Sequence, residues 1–177
     1  MLRAYKGVDW LKYLAATDLQ YLSVRIDPHR WYPMETFERM GVAILVEIAR
    51  NDLKLVKHFG RVEMEALCKQ YDNLVAPGDP HESLVRFQVL RQSFFDFPAL
   101  EIQDVLEKAA DAIVRYGMGS AAEEAATHQT MGFFERLLER AGGSPVRVSL
   151  ASRSWAGDRN TRIQMKWTVP GEGRESA

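Results

Sequence analysis

The four histidines are the first residues that could carry chemistry, because imidazole binds metals and transfers protons near neutral pH. They are His29, His58, His81 and His128, and more than 20 residues separate each from the next. No two lie at the i, i+4 spacing that places two imidazoles on one face of a helix to bind a metal. We therefore expect surface or helix-capping histidines and no metal site.

Nucleophiles and phosphate-binding loops are also missing from the sequence. There is no G-x-S-x-G phrase, and the single cysteine, Cys68, lies within an apolar helical pattern that predicts a buried, inert thiol. Gly117 and Gly119 precede a helix but lack the lysine and the glycine spacing of a nucleotide-binding loop. Carboxylate pairs such as Glu63 with Glu65 fall on faces expected to be solvated. The residues alone indicate no catalytic machinery.

Composition narrows the class of protein. The chain has 177 residues, 46% of them hydrophobic, which suits one soluble domain with a sizeable core. With 23 basic and 24 acidic residues the net charge is -1, so we expect neither nucleic-acid binding nor attraction to an anionic membrane. The single cysteine suits a reducing cytosol, no apolar stretch is long enough to insert into a membrane, and the first residues do not resemble a signal peptide. A cytoplasmic location is expected.

Apolar periodicity predicts a helical first half. Residues repeat at helical spacing in several blocks, and proline and glycine mark the breaks between them. The predicted elements are a helix over 8–16, a short strand over 22–26, a helix that begins at Tyr32-Pro33 and ends at Ile48, a helical block over 52–74 that Gly60 divides, and a helix over 80–95 that Asp79 caps.

The second half changes period and predicts two β-hairpins. The first combines strands over 100–103 and 112–116, and the second combines strands over 146–150 and 163–167. Between them, Ser120 and Glu123 form a predicted capping box that opens a helix ending at Ala141. The predicted fold is therefore α+β: a helical N-terminal half packed on a small antiparallel sheet of two hairpins separated by a long helix. We expect a single domain over 1–169, a disordered tail over 170–177, and a sheet edge over 161–169 through which a homodimer could form.

Several local phrases point to a family. They are Trp31-Tyr32-Pro33 with Phe37, Phe59-Gly60-Arg61, Phe94-Phe95-x-Phe97-Pro98-x-Leu100, and Tyr116-Gly117-Met118 before a helix with Gly132-Phe133-Phe134. Over about residues 30–168 the chain resembles an uncharacterised bacterial family abundant in myxobacteria. That family is similar to heme-nitric-oxide-binding and 4-vinyl-reductase-type ligand-binding domains. The resemblance implies a sensory or regulatory domain that binds a small apolar molecule or a tetrapyrrole and signals to a partner.

The chain departs from the heme-binding members of that group. Those members carry a histidine close ahead of a Phe-Pro-x-Leu phrase, and a Tyr-x-Ser-x-Arg motif that holds the heme propionates. Here His81 lies 16 residues before Phe97, about two helical turns too far, and Gly-Met-Gly-Ser follows Tyr116. The serine is displaced and the arginine is missing. Without an axial ligand and a propionate clamp, heme binding loses its basis, so we expect no cofactor.

The aromatic residues leave two interpretations open: they fill the core, or they line an apolar pocket between helices and sheet. If the relatives' arrangement applies, the pocket lies between the helix over 80–95 and the first hairpin. Its candidate residues are Trp31 and Tyr32 at the rim, then Phe94, Phe97, Ile113, Tyr116 and Phe133, with the Tyr116 hydroxyl as a polar handle. The favoured function is a non-enzymatic sensory or regulatory domain that binds a small apolar ligand or an unknown protein partner. The alternative is a cofactor-dependent enzyme that uses the same pocket.

Overall fold

The computed structural model describes residues 2, 5–25, 27, 30–94 and 96–170, and it confirms the α+β class. Helices precede a four-stranded antiparallel sheet, and one long helix lies between the two pairs of strands. The helices are α1 (Gln20–Ser23), α2 (Met34–Ala43), α3 (Leu53–Gln70), α4 (Pro80–Leu90) and α5 (Ser120–Arg140). The strands are β1 (Leu100–Gln103), β2 (Ala109–Val114), β3 (Val146–Ser152) and β4 (Thr161–Trp167). No helix among these residues is long and apolar enough to cross a membrane.

The two predicted hairpins join into one sheet with the strand order β1-β2-β4-β3. Val114 lies opposite Leu100 in the first hairpin and opposite Thr161 across the junction. Because β4 pairs with both β2 and β3, it is an interior strand. The prediction that residues 161–169 form a free edge is therefore wrong, and the edges of the sheet are β1 and β3.

One face of the sheet is covered by helices and forms the main core. Alternate residues of β2 and β4 point to this face, among them Val114, Ile163 and Met165, and they are almost fully buried. They share the core with Leu84 of α4 and Phe134 of α5. The apolar residues that alternate along the strands and those that repeat at helical spacing along α4 and α5 therefore pack together in one layer.

The prediction that Gly60 divides the second helical block is wrong. The helix α3 runs unbroken through it, because Gly60 lies where α3 crosses α5 and a side chain there would strike the α5 backbone. Charged residues flank the crossing: Lys57 and Arg61 both bind Glu135, at 2.8 Å and 2.7 Å. The glycine is a packing residue in this helix pair.

The helix starts follow the sequence in two of three cases. Pro33 immediately precedes α2, and the Asp79 carboxylate accepts a hydrogen bond from the Glu82 N–H at 2.8 Å at the start of α4. At α5 the capping box is wrong in its first member. Gly119 occupies the cap position and the Ser120 side chain caps nothing. Two glutamates hold the segment just before the helix: Glu123 accepts from the Met118 N–H at 3.2 Å and Glu38 accepts from the Gly119 N–H at 2.9 Å.

The first 25 residues depart furthest from prediction. The helix over 8–16 is reduced to a single 3-10 turn at Trp10–Lys12. The predicted strand over 22–26 does not form: its first two residues belong to α1, Val24 and Arg25 lie outside any helix or strand, and Ile26 lies outside the described residues. Leu22 packs beside Ala43 and Ile48. The apolar residue that suggested a strand therefore contacts helical residues and not a sheet. The predicted tail over 170–177 also lies outside the described residues except for Pro170.

Candidate functional site

Three phenylalanines fill the space between α4 and α5. The ring centroids of Phe87 and Phe133 are 4.8 Å apart, those of Phe87 and Phe134 5.5 Å, and those of Phe133 and Phe134 5.9 Å. All three side chains are buried. Here the phenylalanine cluster means these three residues. Aromatic rings at these separations are in contact, so the interior at this point is packed with side chains.

The phenylalanine cluster contains one predicted site residue, Phe133, and reaches a second. The second is Phe94, whose ring centroid lies 6.3 Å from that of Phe87. Phe94 is 37% exposed, so it borders the cluster from outside. Phe87, which is not one of the predicted site residues, links the two. Its position one turn after the buried Leu84 was the available signal.

Tyr116 is buried next to α5 and its hydroxyl is engaged. The Thr130 hydroxyl donates its one hydrogen to the Ala126 carbonyl at 2.9 Å. The Tyr116 hydroxyl lies 2.6 Å from the Thr130 hydroxyl and is therefore the donor of the hydrogen bond between them. Burial raises the pKa of the Tyr116 hydroxyl well above its ordinary value. Tyr116 therefore ties the end of β2 to α5 as a neutral phenol.

The remaining predicted residues lie apart from the phenylalanine cluster. Ile113 points to the opposite face of the sheet, since its neighbours Ala112 and Val114 point to the core and successive strand residues alternate. Trp31 is 59% exposed. Tyr32 packs edge-on against Tyr21, with ring centroids 5.3 Å apart. The predicted rim thus belongs to the segment before α2.

Phe97 lines an open cleft of about 420 Å³ at the end of α4. Arg91, Gln92, Asp96, Pro98 and Leu100 form its other walls. The Arg91 Nε is buried without a hydrogen-bond partner among the described residues. The cleft is thus partly polar and open to solvent, and it differs from the apolar pocket that was one of the two interpretations of the aromatic residues.

A second, smaller gap lies between α2 and α5. Its volume of about 30 Å³ is close to the space that one water molecule occupies in the liquid. Gly41 lies on this gap, two residues before the end of α2, and nothing lies within 4 Å of the position that its Cβ would take. The facing residues of α5 are also small, and the large side chains of Phe37, Ile44 and Met118 stand around them. The helical spacing of the sequence could not reveal this gap, because a glycine fits an apolar helix face whether or not the space beside it is filled.

No cluster of three or more His, Cys, Asp or Glu residues that could hold a metal occurs among the described residues. His58, His81 and His128 lie on three different helices, and His29 lies outside the described residues. Burial lowers the pKa of His128 and raises the pKa of the partly buried Cys68 thiol. Cys68 is therefore a protonated thiol at neutral pH.

Solved structures of H-NOX proteins share this architecture. An H-NOX protein from S. oneidensis in its Fe(II)NO state superposes with a TM-score of 0.60 at 10% identity, over 90% of this chain and 87% of that chain. An unliganded Fe(II) H-NOX protein from K. algicida superposes with a TM-score of 0.60 at 12% identity, over 96% of this chain and 91% of that chain. The fold is that of H-NOX domains. A third H-NOX protein, from T. tengcongensis, superposes with a TM-score of 0.60 at 11% identity, over 88% of this chain and 87% of that chain.

The likeness is visible in three dimensions and not in sequence. No protein-family model and no curated protein matches the chain. At 10–12% identity, the superpositions establish a shared H-NOX-like fold and nothing about a ligand. The resemblance to heme-nitric-oxide-binding domains that the local phrases suggested is thus confirmed at the level of fold.

The described side chains can be tested directly against heme. A flat porphyrin needs about 7 Å between the groups on its two faces, twice a carbon–carbon contact distance. The rings of Phe87 and Phe133 are 4.8 Å apart and touch. His81 lies in the first turn of α4, at the opposite end of the helix from Phe94. The phenylalanine cluster therefore offers heme neither a slot nor an axial ligand.

Proposed function

We propose that the chain is a non-enzymatic sensory or regulatory domain with the H-NOX-like fold that works without heme. The observation that carries the proposal is the contact between Phe87 and Phe133, which occupies the space between α4 and α5. A cytoplasmic location and a protein partner that reads the state of the domain belong to the same proposal.

The side chains near the phenylalanine cluster support this proposal. Tyr116 begins the phrase that would hold the heme propionates, and its hydroxyl donates a hydrogen bond to the Thr130 hydroxyl. The position four residues further along is Ser120 and not arginine, so the cationic partner that propionates need is missing there. Cys68, the one thiol of the chain, is partly buried with a raised pKa, which leaves it a poor nucleophile.

A hemin titration tests the proposal. Purified protein should be colourless, and hemin added at equimolar concentration should be lost on gel filtration without a sharp Soret band. The variants His81→Ala and His58→Ala are a matched pair, since both remove a helical histidine and only His81 lies on α4. A stable Soret band in wild type and His58→Ala that is absent in His81→Ala would overturn the proposal.

The same absorbance spectrum addresses the alternative class of function. A chromophore that stays bound through gel filtration of freshly purified protein would favour a cofactor-dependent enzyme. A featureless spectrum above the aromatic band is the expected result.

The gap beside Gly41 favours a second candidate, in which the domain binds a small, uncharged apolar molecule there. A glycine in a helix interior costs about 1 kcal/mol relative to alanine, and no neighbouring atom requires a glycine at this position. The walls are mostly apolar, and the gap opens beside Phe37, which is itself half exposed. A small apolar molecule would need no polar partner between such walls.

Xenon is a suitable probe for this gap because it is small, apolar and neutral. Under xenon pressure, the methyl resonances of Ile44 and Ala122 should shift in the wild-type protein. Gly41→Leu should fill the gap and abolish the shifts, whereas the control Val42→Leu should keep them. Equal shifts in both variants would place xenon elsewhere and remove the second candidate.

A further inference from the structure

The strand β3 is a long edge with little protection. It has seven residues and lies at the end of the order β1-β2-β4-β3, and no strand pairs with its outer side within the described ranges. Its sequence, Val-Arg-Val-Ser-Leu-Ala-Ser, favours extended structure and carries one charge, that of Arg147. Such an edge presents unpaired backbone N–H and C=O groups and is a template for another strand.

The hydrogen bonds of β4 define which backbone groups of β3 point outward. The Trp167 N–H donates to the Lys108 carbonyl at 3.1 Å, on the β2 side of β4. The next residue, Thr168, accepts from the Ser144 N–H at 2.7 Å, on the β3 side. Because successive residues of a strand direct their backbone groups to alternate sides, Lys166 also faces β3.

Arg147 is the residue of β3 that lies opposite Lys166, so these two form a hydrogen-bonded pair within the sheet. The backbone groups of Val146, Val148 and Leu150 then point away from β4. These three residues form a regular outward-facing ladder that no element of the described chain uses.

The opposite edge of the sheet is different. The strand β1 has four residues, and the side-chain amide of Gln88 donates to the Ile102 carbonyl at 3.2 Å. A short edge covered by a helix side chain does not invite another strand. Only one of the two sheet edges is therefore open over a useful length.

We propose that β3 pairs in antiparallel orientation with β3 of a second copy of this chain. The bulge between Leu150 and Ser152 limits the regular stretch to residues 146–150, which places the two-fold axis at Val148. In this register Val146 lies opposite Leu150 of the partner subunit. Arg147 lies opposite Ser149 of the partner subunit.

The choice of a second copy follows from this register. Apolar residues meet apolar residues, and the only charge on each strand meets a neutral hydroxyl, so no like charges face each other. A net charge of -1 per chain gives little repulsion between two copies. The interface uses β3 and not the strand 161–169, which is interior.

Sedimentation velocity over a concentration series tests the pairing. Wild type should show a reversible dimer. Ser149→Lys places a lysine opposite Arg147 of the partner subunit at two symmetric positions, so the dimer Kd should rise about tenfold or more. Gln164→Lys is the matched control, because Gln164 is the cross-strand neighbour of Ser149 on the interior strand β4. Its dimer Kd should equal that of wild type.

A charge of the opposite sign tests the register, and Ser149→Glu should lower the dimer Kd severalfold because each glutamate meets an arginine.

Amide exchange gives a residue-level readout: the amides of Val146, Val148 and Leu150 should gain protection as concentration rises. The amides of Arg147 and Ser149, already paired with β4, should be protected at every concentration. A wild-type protein that stays monomeric at its highest soluble concentration overturns the proposal, as does equal dimerisation of Ser149→Lys and Gln164→Lys. If Ser149→Lys fails to fold, an unchanged or raised Kd in Ser149→Glu overturns it.

Discussion

Gly60 and Gly132 lie at the crossing of α3 and α5, each against the backbone of the other helix. A Cβ built on Gly60 would lie 1.8 Å from the Gln129 carbonyl oxygen, and one built on Gly132 would lie 1.8 Å from the Lys57 carbonyl oxygen. Both positions meet rigid backbone and not the end of a flexible side chain. The two glycines therefore define how closely the helices approach.

The first prediction is that Gly132→Ala destabilises the protein although alanine is the better helix former. A methyl group there forces α3 and α5 apart, and overpacking of this kind costs about 1–3 kcal/mol or more. The control is Gly41→Ala, where nothing lies within 4 Å of the new Cβ. That variant should gain about 0.5–1 kcal/mol from helix propensity alone. Urea denaturation measures both, and a gain in stability for Gly132→Ala would contradict the close crossing.

The crossing also shows what the sequence could and could not reveal. The apolar period placed α3 and α5 correctly, because each helix repeats its buried face over several turns. The role of Gly60 could not be read from its neighbours, since a glycine that breaks a helix and one that admits another backbone look alike in one sequence. Only Gly132, 72 positions away, distinguishes the two cases.

Asp18 makes the fold sensitive to acid. Its carboxylate is 1% exposed and binds Arg39 at 2.6 Å and Thr36 at 2.7 Å, so the arginine above all lowers its pKa to about 2. Because the folded pKa lies below the unfolded value, this stabilisation is complete above about pH 4. It is lost as the pH falls towards 2.

We predict that Asp18→Asn lowers the free energy of unfolding at pH 7 by about 2 kcal/mol and flattens its decline in acid. Urea denaturation at pH 7 and at pH 3 measures both effects. Asp9→Asn is the matched control, because Asp9 is exposed and its carboxylate accepts one hydrogen bond, from the Leu11 N–H. If Asp18→Asn keeps the acid slope of wild type, another carboxylate is responsible.

The start of α5 supplies a prediction that reverses the one made from sequence. Ser120 occupies the S-x-x-E pattern of a capping box but its side chain caps nothing, so Ser120→Ala should change stability by less than about 0.5 kcal/mol. Glu123 is buried and accepts the Met118 N–H, so Glu123→Ala should cost about 1–2 kcal/mol. Equal losses in the two variants, measured by chemical denaturation, would restore the capping box. The pattern misled because the helix begins one residue earlier: the Glu123 N–H, which a capping serine at position 120 would bind, donates to the Gly119 carbonyl at 2.9 Å.

The candidate site was less predictable than the fold. Strand alternation defines two faces but not which face the helices cover, so Ile113 was assigned to the pocket although it lies on the other side of the sheet. Trp31 and Tyr32 lie before α2, and apolar content alone could not place that segment. Phe133 lies on the buried face of α5, as the strong periodicity of that long helix predicted. Residues of regular elements were thus better located than those of connecting segments.

The last prediction separates the packed interior from its border. Phe87 is buried between Phe133 and Phe134, so Phe87→Ala should leave a cavity and cost about 3–5 kcal/mol. Phe94 contacts only one side of Phe87 and is 37% exposed, so Phe94→Ala should cost clearly less, about 1 kcal/mol. Chemical denaturation of both variants gives the comparison, and the cavity in Phe87→Ala should bind benzene, which would raise its midpoint but not that of Phe94→Ala. Small losses in both variants would indicate that α4 and α5 enclose an open pocket. In that case the space between them could admit a ligand, and the heme-free proposal would lose its main support.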